Sequence, residues 1–300
     1  MMIDEKSRSG PLGGKPVAVI REVGPRDGFQ SESRFIPTGF KARMIGNLAD
    51  AGLSIIQAAS FVHPKLMPQM ADAEEVLSML GKRPETRLVG LVLNFIGAER
   101  AKRAGMAEIE AGVSASETHS RKNTGLGRAA AFSECEKIAD LCKSSGMRLW
   151  LNVQCAFGCG YEGRIPQDDV AELAGRLWSL GPEYLVIADT VGSGTPEATC
   201  SLLEKILRFA PSDRVFMHLH DTKGLAVKNL LAALEMGVTR FDAAFGGLGG
   251  CPFAPGAPGN LATERAVNIL ESKGFSTGVD LEKVEETTRL FHEAMSGRTL

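Results

Sequence analysis

VFMHLHDTKGLAVKNLLAALEMGVTRFDAAF, residues 215–245, decides how the chain is read. A short apolar run at 215–220 gives way to a segment at 223–236 whose apolar residues recur at helical spacing, and Gly237 follows where a left-handed cap belongs. A second apolar run, 240–245, comes directly after. Strand, helix and strand in so short a stretch make a βαβ unit, whose two strands lie parallel.

The same alternation extends towards both ends. Strands are expected at 17–23, 53–59, 87–93, 108–113, 147–153 and 184–188, and helices near 38–51, 71–81, 97–105, 130–145, 166–180, 195–209 and, after the last strand, 258–273. Thr38 and Thr195 stand at N-cap positions, Pro166 and Pro196 suit a first turn, and Gly52, Gly105, Gly146 and Gly181 end helices. Eight strands alternating with eight helices predict an α/β fold, a (β/α)8 TIM barrel, in preference to an open doubly wound sheet. The amphipathic stretch 279–297 predicts an additional C-terminal helix, packed on the barrel or on a partner subunit. No break in composition marks a second domain, so residues 16–300 read as one barrel domain behind a flexible N-terminal arm, 1–15.

Composition narrows the class of function. In 300 residues, 44% are hydrophobic and 23% charged, with a formal net charge of −2. Such a balance offers neither a basic stripe for nucleic acid nor a polybasic segment for a membrane surface. No apolar run is long enough to span a bilayer, and the polar start has no signal-peptide core, so a cytoplasmic enzyme is expected. The last residues, SGRTL, carry neither the peroxisomal tripeptide nor a prenylation box. The six cysteines are scattered, which favours reduced thiols. Cys155 and Cys159 approach zinc-ligand spacing but lack a second Cys or His pair.

In such a barrel the chemistry sits where the strands end. Arg26, Asp27 and Gln30 follow the first strand, Gln57 and Ser60 lie on and after the second, and Asn94 follows the third. Ser114 and Ser116, Gln154 and Cys155, and Asp189 and Thr190 follow the next three. His218 and His220 are two apart on the seventh strand, so both rings face the barrel mouth, with Asp221 beside them to orient a ligand histidine. Asp27 and, from the final loop, Asn260 complete a set of two nitrogens and two oxygens. That mixture suits a six-coordinate divalent cation, Mg2+ or Mn2+, better than structural zinc. Arg26, permanently protonated, suits a developing enolate; the plain alternative is a surface ion pair with Asp27, against which the turn set by Pro25 and Gly28 argues. Cys251 lies in a glycine-rich loop that could close over substrate or simply bury a small side chain. GSGTP, 192–196, is a weak phosphate cradle at a helix start.

REVGPRDGFQ, SFVHPKLMPQMAD, CAFGCGYEGRI, ADTVGSGTP, HLHDTKGLAVKNLLAALEMGV and GGLGGCPFAPGAPGNLATE occur in order from about residue 17 to 290. Together they resemble the 3-hydroxy-3-methylglutaryl-CoA lyase family of barrel-fold, metal-dependent acyl-CoA lyases. The resemblance implies that Asp27, His218, His220 and Asn260 hold a divalent cation, that Arg26 stabilises the enolate of the departing thioester, and that Cys251 takes part in proton transfer. It also implies a retro-Claisen cleavage of an acyl-CoA substrate to a ketone and acetyl-CoA, a homodimer or higher homo-oligomer, and a place in leucine or ketone-body catabolism. Gln30, Gln57, Ser60, Asn94, Asp189 and Thr190 are the wider substrate-pocket set.

Three positions depart from that family. Gln57 stands where a glutamate is usual, which removes one negative charge beside the cation; Ser33 replaces a common lysine and His63 a small residue. A substrate that brings its own carboxylate near the cation, such as citramalyl-CoA, would suit Gln57. A condensing synthase on the same scaffold is the remaining enzymatic alternative.

Overall fold

The structure is a computed structural model that describes residues 14–250 and 259–296. Eight parallel strands close in sequence order: β1 (Val19–Glu22), β2 (Ile55–Ser60), β3 (Arg87–Leu91), β4 (Glu108–Ser114), β5 (Arg148–Gln154), β6 (Tyr184–Asp189), β7 (Val215–Leu219) and β8 (Arg240–Ala243). Pairing of β1 with β8, Val19 against Arg240 through Glu22 against Ala243, shuts the cylinder. The expected (β/α)8 barrel is what forms.

The outer ring comprises α1 (Thr38–Asp50), α2 (Ala73–Leu80), α3 (Phe95–Arg103), α4 (Glu117–Thr124), α5 (Arg128–Ser145), α6 (Gln167–Trp178), α7 (Pro196–Ile206), α8 (Ala226–Glu235) and α9 (Thr263–Ser272). The additional helix is α10 (Leu281–Met295), whose buried Phe291 stacks on Phe29 with ring centroids 5.3 Å apart. Thr195 caps α7 as expected, its side chain accepting from the Ala198 N–H. Thr38 does not cap α1: Pro37 holds that position, and the Thr38 hydroxyl donates to Asp72 at 2.8 Å. Pro166 is likewise the residue before α6 rather than its first turn. Helix α4 escapes the sequence reading because ETHSRKNT has no apolar stripe; Ser116 starts it by accepting from the His119 N–H. No helix among the described residues is long and apolar enough to cross a membrane.

Side chains alternate inward and outward along each strand, so the lumen fills in layers. Val19, Ile55, Val89, Trp150, Val186 and Phe216 pack with Tyr184 as an apolar layer. At its N-terminal end, buried Glu108 accepts from Arg87 through both carboxylate oxygens (2.7 and 2.8 Å), from the Trp150 indole at 3.0 Å and from Arg148. Removing one partner of such a set leaves the other charges buried without compensation. Glu108→Gln is therefore expected to lower stability by about 3 kcal/mol, read as a lower urea midpoint, with kcat unchanged at 25 °C because the site lies at the other end of the barrel.

Candidate active site

Strand β1 ends in GPRDG, residues 24–28, which forms one wide helical turn: the Phe29 N–H reaches back to the Gly24 carbonyl. Wide turns of this kind are uncommon and concentrate at functional sites. Glu22, fully buried below it, accepts from the Gly24 N–H at 2.7 Å, the Phe245 N–H at 3.0 Å and the Thr263 hydroxyl at 2.7 Å. Burial pushes this carboxyl up to about 8 even against those three donors. The turn is thereby tied to the end of the adjacent strand β8 and to the start of α9, and it presents Arg26 and Asp27 at the mouth.

Three ligand groups meet there. One ligand atom each from Asp27, His218 and His220 lies within 4.8 Å of the others, the one such cluster of His, Cys, Asp or Glu among the described residues. The two imidazoles are side by side, ring centroids 5.1 Å apart. His218 Nδ1 lies 3.0 Å from Asp242 Oδ2. Because that carboxylate can only accept, Nδ1 is the donor, which leaves Nε2 as the ring atom for a cation. Asp242 therefore does what the sequence reading gave to Asp221. Asp221 turns away, accepting from the Ala226 N–H and from Arg265, each at 2.9 Å. Burial by itself would raise the Asp27 carboxyl, but Arg26, then His220 and His218, hold it well below the usual carboxylate range.

Asn260 reaches the cluster because the last loop pairs with the end of β7: His220 and Asn260 form a bridge, and the Asp221 N–H donates to the Gly259 carbonyl at 2.8 Å. Its amide nitrogen, not its oxygen, faces Asp27 Oδ2 at 2.7 Å and the Leu248 carbonyl at 2.9 Å. Service as a ligand requires the amide to turn over. Gly249, at φ +113°, leaves the necessary room, since a Cβ there would stand 2.5 Å from Asn260 Nδ2. Gly249→Ala is expected to weaken Mn2+ binding by about tenfold or more, measured by titration, through displacement of Asn260.

The cluster fits a divalent cation on its donor chemistry. A carboxylate and two imidazoles converge, and the buried His220 Nδ1 has no hydrogen-bond partner.

Arg26 donates through Nη1 to Asp27 and through Nε to Gln57 Oε1, leaving Nη2 without a hydrogen bond among the described residues. Gln57 is fully buried and spends its other end on Glu110, Nε2 to Oε2 at 2.8 Å. Its two amide ends thus brace Arg26 against Glu110. Ser60 is also fully buried, with an unbonded hydroxyl. Asn94 caps α3 by accepting from the Gly97 N–H at 2.9 Å. Asp189 accepts from the Ser193 and Gly194 N–H groups, each at 2.9 Å, which occupies two amides of the expected phosphate cradle. Thr190 accepts from the N–H of Cys155, which is held at φ +56°. Gln30 lies half-buried beside the wide turn. Cys155 and Cys159 are buried free thiols in no ligand cluster, and Cys251 lies outside the described residues.

A buried polar layer beneath the site was not anticipated from sequence. It comprises Arg21, Glu110, Asn152 and Asp242. The signal was present as charged residues on strands otherwise made of apolar ones.

Comparison with known proteins gives one direction. The HMGL-like family model matches residues 18–291. The mitochondrial hydroxymethylglutaryl-CoA lyase of Bos taurus is 40% identical over 95% of this chain and 87% of its own length. The HMG-CoA lyase structure from Brucella melitensis superposes with a TM-score of 0.91 at 37% identity, covering 93% of this chain and 99% of that one. An HMG-CoA lyase from Acinetobacter baumannii, in complex with coenzyme A and 3-methylmalate, gives 0.89 at 37% identity, covering 94% of this chain and 92% of that one.

Proposed function

The chain belongs to the HMGL-like family, and from that premise we propose that it cleaves 3-hydroxy-3-methylglutaryl-CoA to acetyl-CoA and acetoacetate. The observation that carries this reading is the convergence of Asp27, His218 and His220 beside Arg26 at the C-terminal end of the barrel. These three groups, with Asn260 once its amide has turned, would hold Mg2+ or Mn2+. A divalent cation bound there supplies Lewis acidity, which acidifies a tertiary hydroxyl and polarises the carbonyl that replaces it.

The remaining work belongs to the side chains. As a general base takes the hydroxyl proton, the C2–C3 bond breaks; its electron pair passes to C2, giving acetoacetate and the enolate of acetyl-CoA. Arg26, braced by Gln57 and Asp27, offers the uncommitted Nη2 to the enolate oxygen, where negative charge grows. Asp27, held ionised, contributes charge rather than a proton. Asp242 keeps His218 in one tautomer and one orientation. We assign delivery of a proton to the enolate carbon to Cys251, on the resemblance of its GLGGCP loop.

Binding of CoA together with a hydroxy diacid by the relative from Acinetobacter baumannii supports an acyl-CoA substrate with a polar acyl end. The same family resemblance supports a homodimer or higher homo-oligomer, which light scattering checks. The citramalyl-CoA alternative rested on a missing charge at Gln57, and Glu110 supplies a carboxylate 2.8 Å away. Assay of hydroxymethylglutaryl-CoA and citramalyl-CoA in parallel, with mass spectrometry of the products, tests the reading. Acetoacetate and acetyl-CoA from the first substrate at the higher kcat/KM support it; faster release of pyruvate from the second would reject it.

A further inference from the structure

The buried polar layer joins the two walls of the site. From Arg26 the hydrogen bonds run to Gln57 Oε1, from Gln57 Nε2 to Glu110 Oε2 at 2.8 Å, and from Arg21 Nη1 to that same oxygen. Arg21 then grips Asp242 with both arms of its fork, Nε to Oδ1 at 2.8 Å and Nη2 to Oδ2 at 2.6 Å, and Asp242 holds His218. Glu110 Oε1 accepts from Asn152 Nδ2 at 2.6 Å, and Gly112 clears the space for Asn152, since any Cβ there would collide with its amide. Arg21 lies under the site with its guanidinium 4.6 Å from the Trp150 ring centroid. An apolar layer would be cheaper to bury, because desolvating ions costs more than most pairs recover. What the ions provide is a rigid, directional link between the enolate-facing arginine and the cation-facing histidine.

Glu110 is the hinge of that link. It is 3% exposed, so it touches no substrate. It accepts from both sides and is, with Asp242, one of the two carboxylates of the layer, two strands along from Gln57. Gln57 fits this arrangement because one end of its amide accepts from Arg26 while the other donates to Glu110. A glutamate at 57 could accept but not donate, and two carboxylates would face each other at hydrogen-bond distance. Positions 57 and 110 are thus coupled: one carries the charge and the other the amide.

We propose that Glu110 is a positioning residue for the cleavage, setting the orientation of Arg26 through Gln57 and supporting that of His218 through Arg21 and Asp242. The inference rests on the lyase reading above. It is tested with Glu110→Gln, Gln57→Glu and the double exchange, each assayed for kcat, KM, Mn2+ affinity and Tm, with the parent protein as control for the reaction itself. Glu110→Gln retains the shape but sets an amide NH2 where Glu110 accepts, against the donors of Asn152 or of Arg21 and Gln57, so it breaks the link without opening a cavity. Each single variant is expected to lose about 10-fold or more in kcat, with KM and Mn2+ affinity within about threefold of the parent. The double exchange keeps an acceptor for Arg26 at 57 and re-creates, in reverse, the amide-to-carboxylate bond between 57 and 110, and is expected to return to within about fivefold of the parent kcat.

A parent that cleaves hydroxymethylglutaryl-CoA, together with Glu110→Gln at parental kcat, overturns the positioning role while leaving the lyase reading intact. Losses that multiply in the double variant instead of cancelling overturn the coupling. Should Gln57→Glu fail to fold, the kcat of folded Glu110→Gln decides the matter alone. A parent inactive on that substrate rejects the lyase reading itself.

Discussion

Arg26→Met is expected to lower kcat for cleavage by about 10²–10³-fold while the protein binds its divalent cation as before. The guanidinium is anchored twice, to Asp27 and to Gln57, and only 11% of its side chain is exposed. Its free Nη2 is thus presented to the mouth by partners that need not reorganise as the enolate forms. A preorganised donor in a site shielded from water is worth several kcal/mol to developing charge, and a thioether offers none of it. Because Asp27 keeps His220 and Asn260 as neighbours, the cation cluster outlasts the change. Rapid-quench kinetics and metal analysis of the same sample check the two halves of this expectation. A loss of kcat accompanied by equal loss of metal would reassign Arg26 to holding Asp27 in place.

Asp27→Asn should act in the opposite order, by removing the cation first. Asp27 is the one carboxylate in the three-residue cluster, and its replacement leaves two imidazoles and two amides around the same point. Without that anion, the site holds Mg2+ or Mn2+ far more weakly, since hard divalent ions bind chiefly to charged oxygen. Metal content after gel filtration should fall below a tenth of the parental level, and kcat/KM by at least about 10³-fold. Tm should change little, because Asp27 is ionised and partly exposed at the rim and supports no packing beneath it. Retention of parental metal content would move the ligand set away from Asp27.

The sequence made the barrel legible because burial on both faces of each strand produces short apolar runs, and glycine at positive φ closes most of the helices between them. Gly52, Gly105, Gly146, Gly181 and Gly237 all adopt that conformation. Asp27, His218 and His220 were also legible, since strand periodicity and chain order already place them at one end. The partners of those residues were not. Asp242 and Asp221 both lie near the histidines in sequence, and only the direction of each side chain separates an orienting carboxylate from a helix cap. Glu110 and Arg21 are far apart in the chain and meet inside the barrel, so neither is visible to a reading that proceeds along the strands. Gln57 shows the cost most clearly. Read by itself it is a lost charge that asks for a different substrate, whereas beside Glu110 its amide bridges a buried carboxylate to Arg26.

The most direct test of the account is acetoacetate formation from hydroxymethylglutaryl-CoA by protein stripped with a chelator and then titrated with Mn2+. The account predicts negligible product from the stripped protein and full recovery at one Mn2+ per chain, with Asp27→Asn silent across the same titration. Undiminished cleavage by protein shown to contain no metal would contradict it.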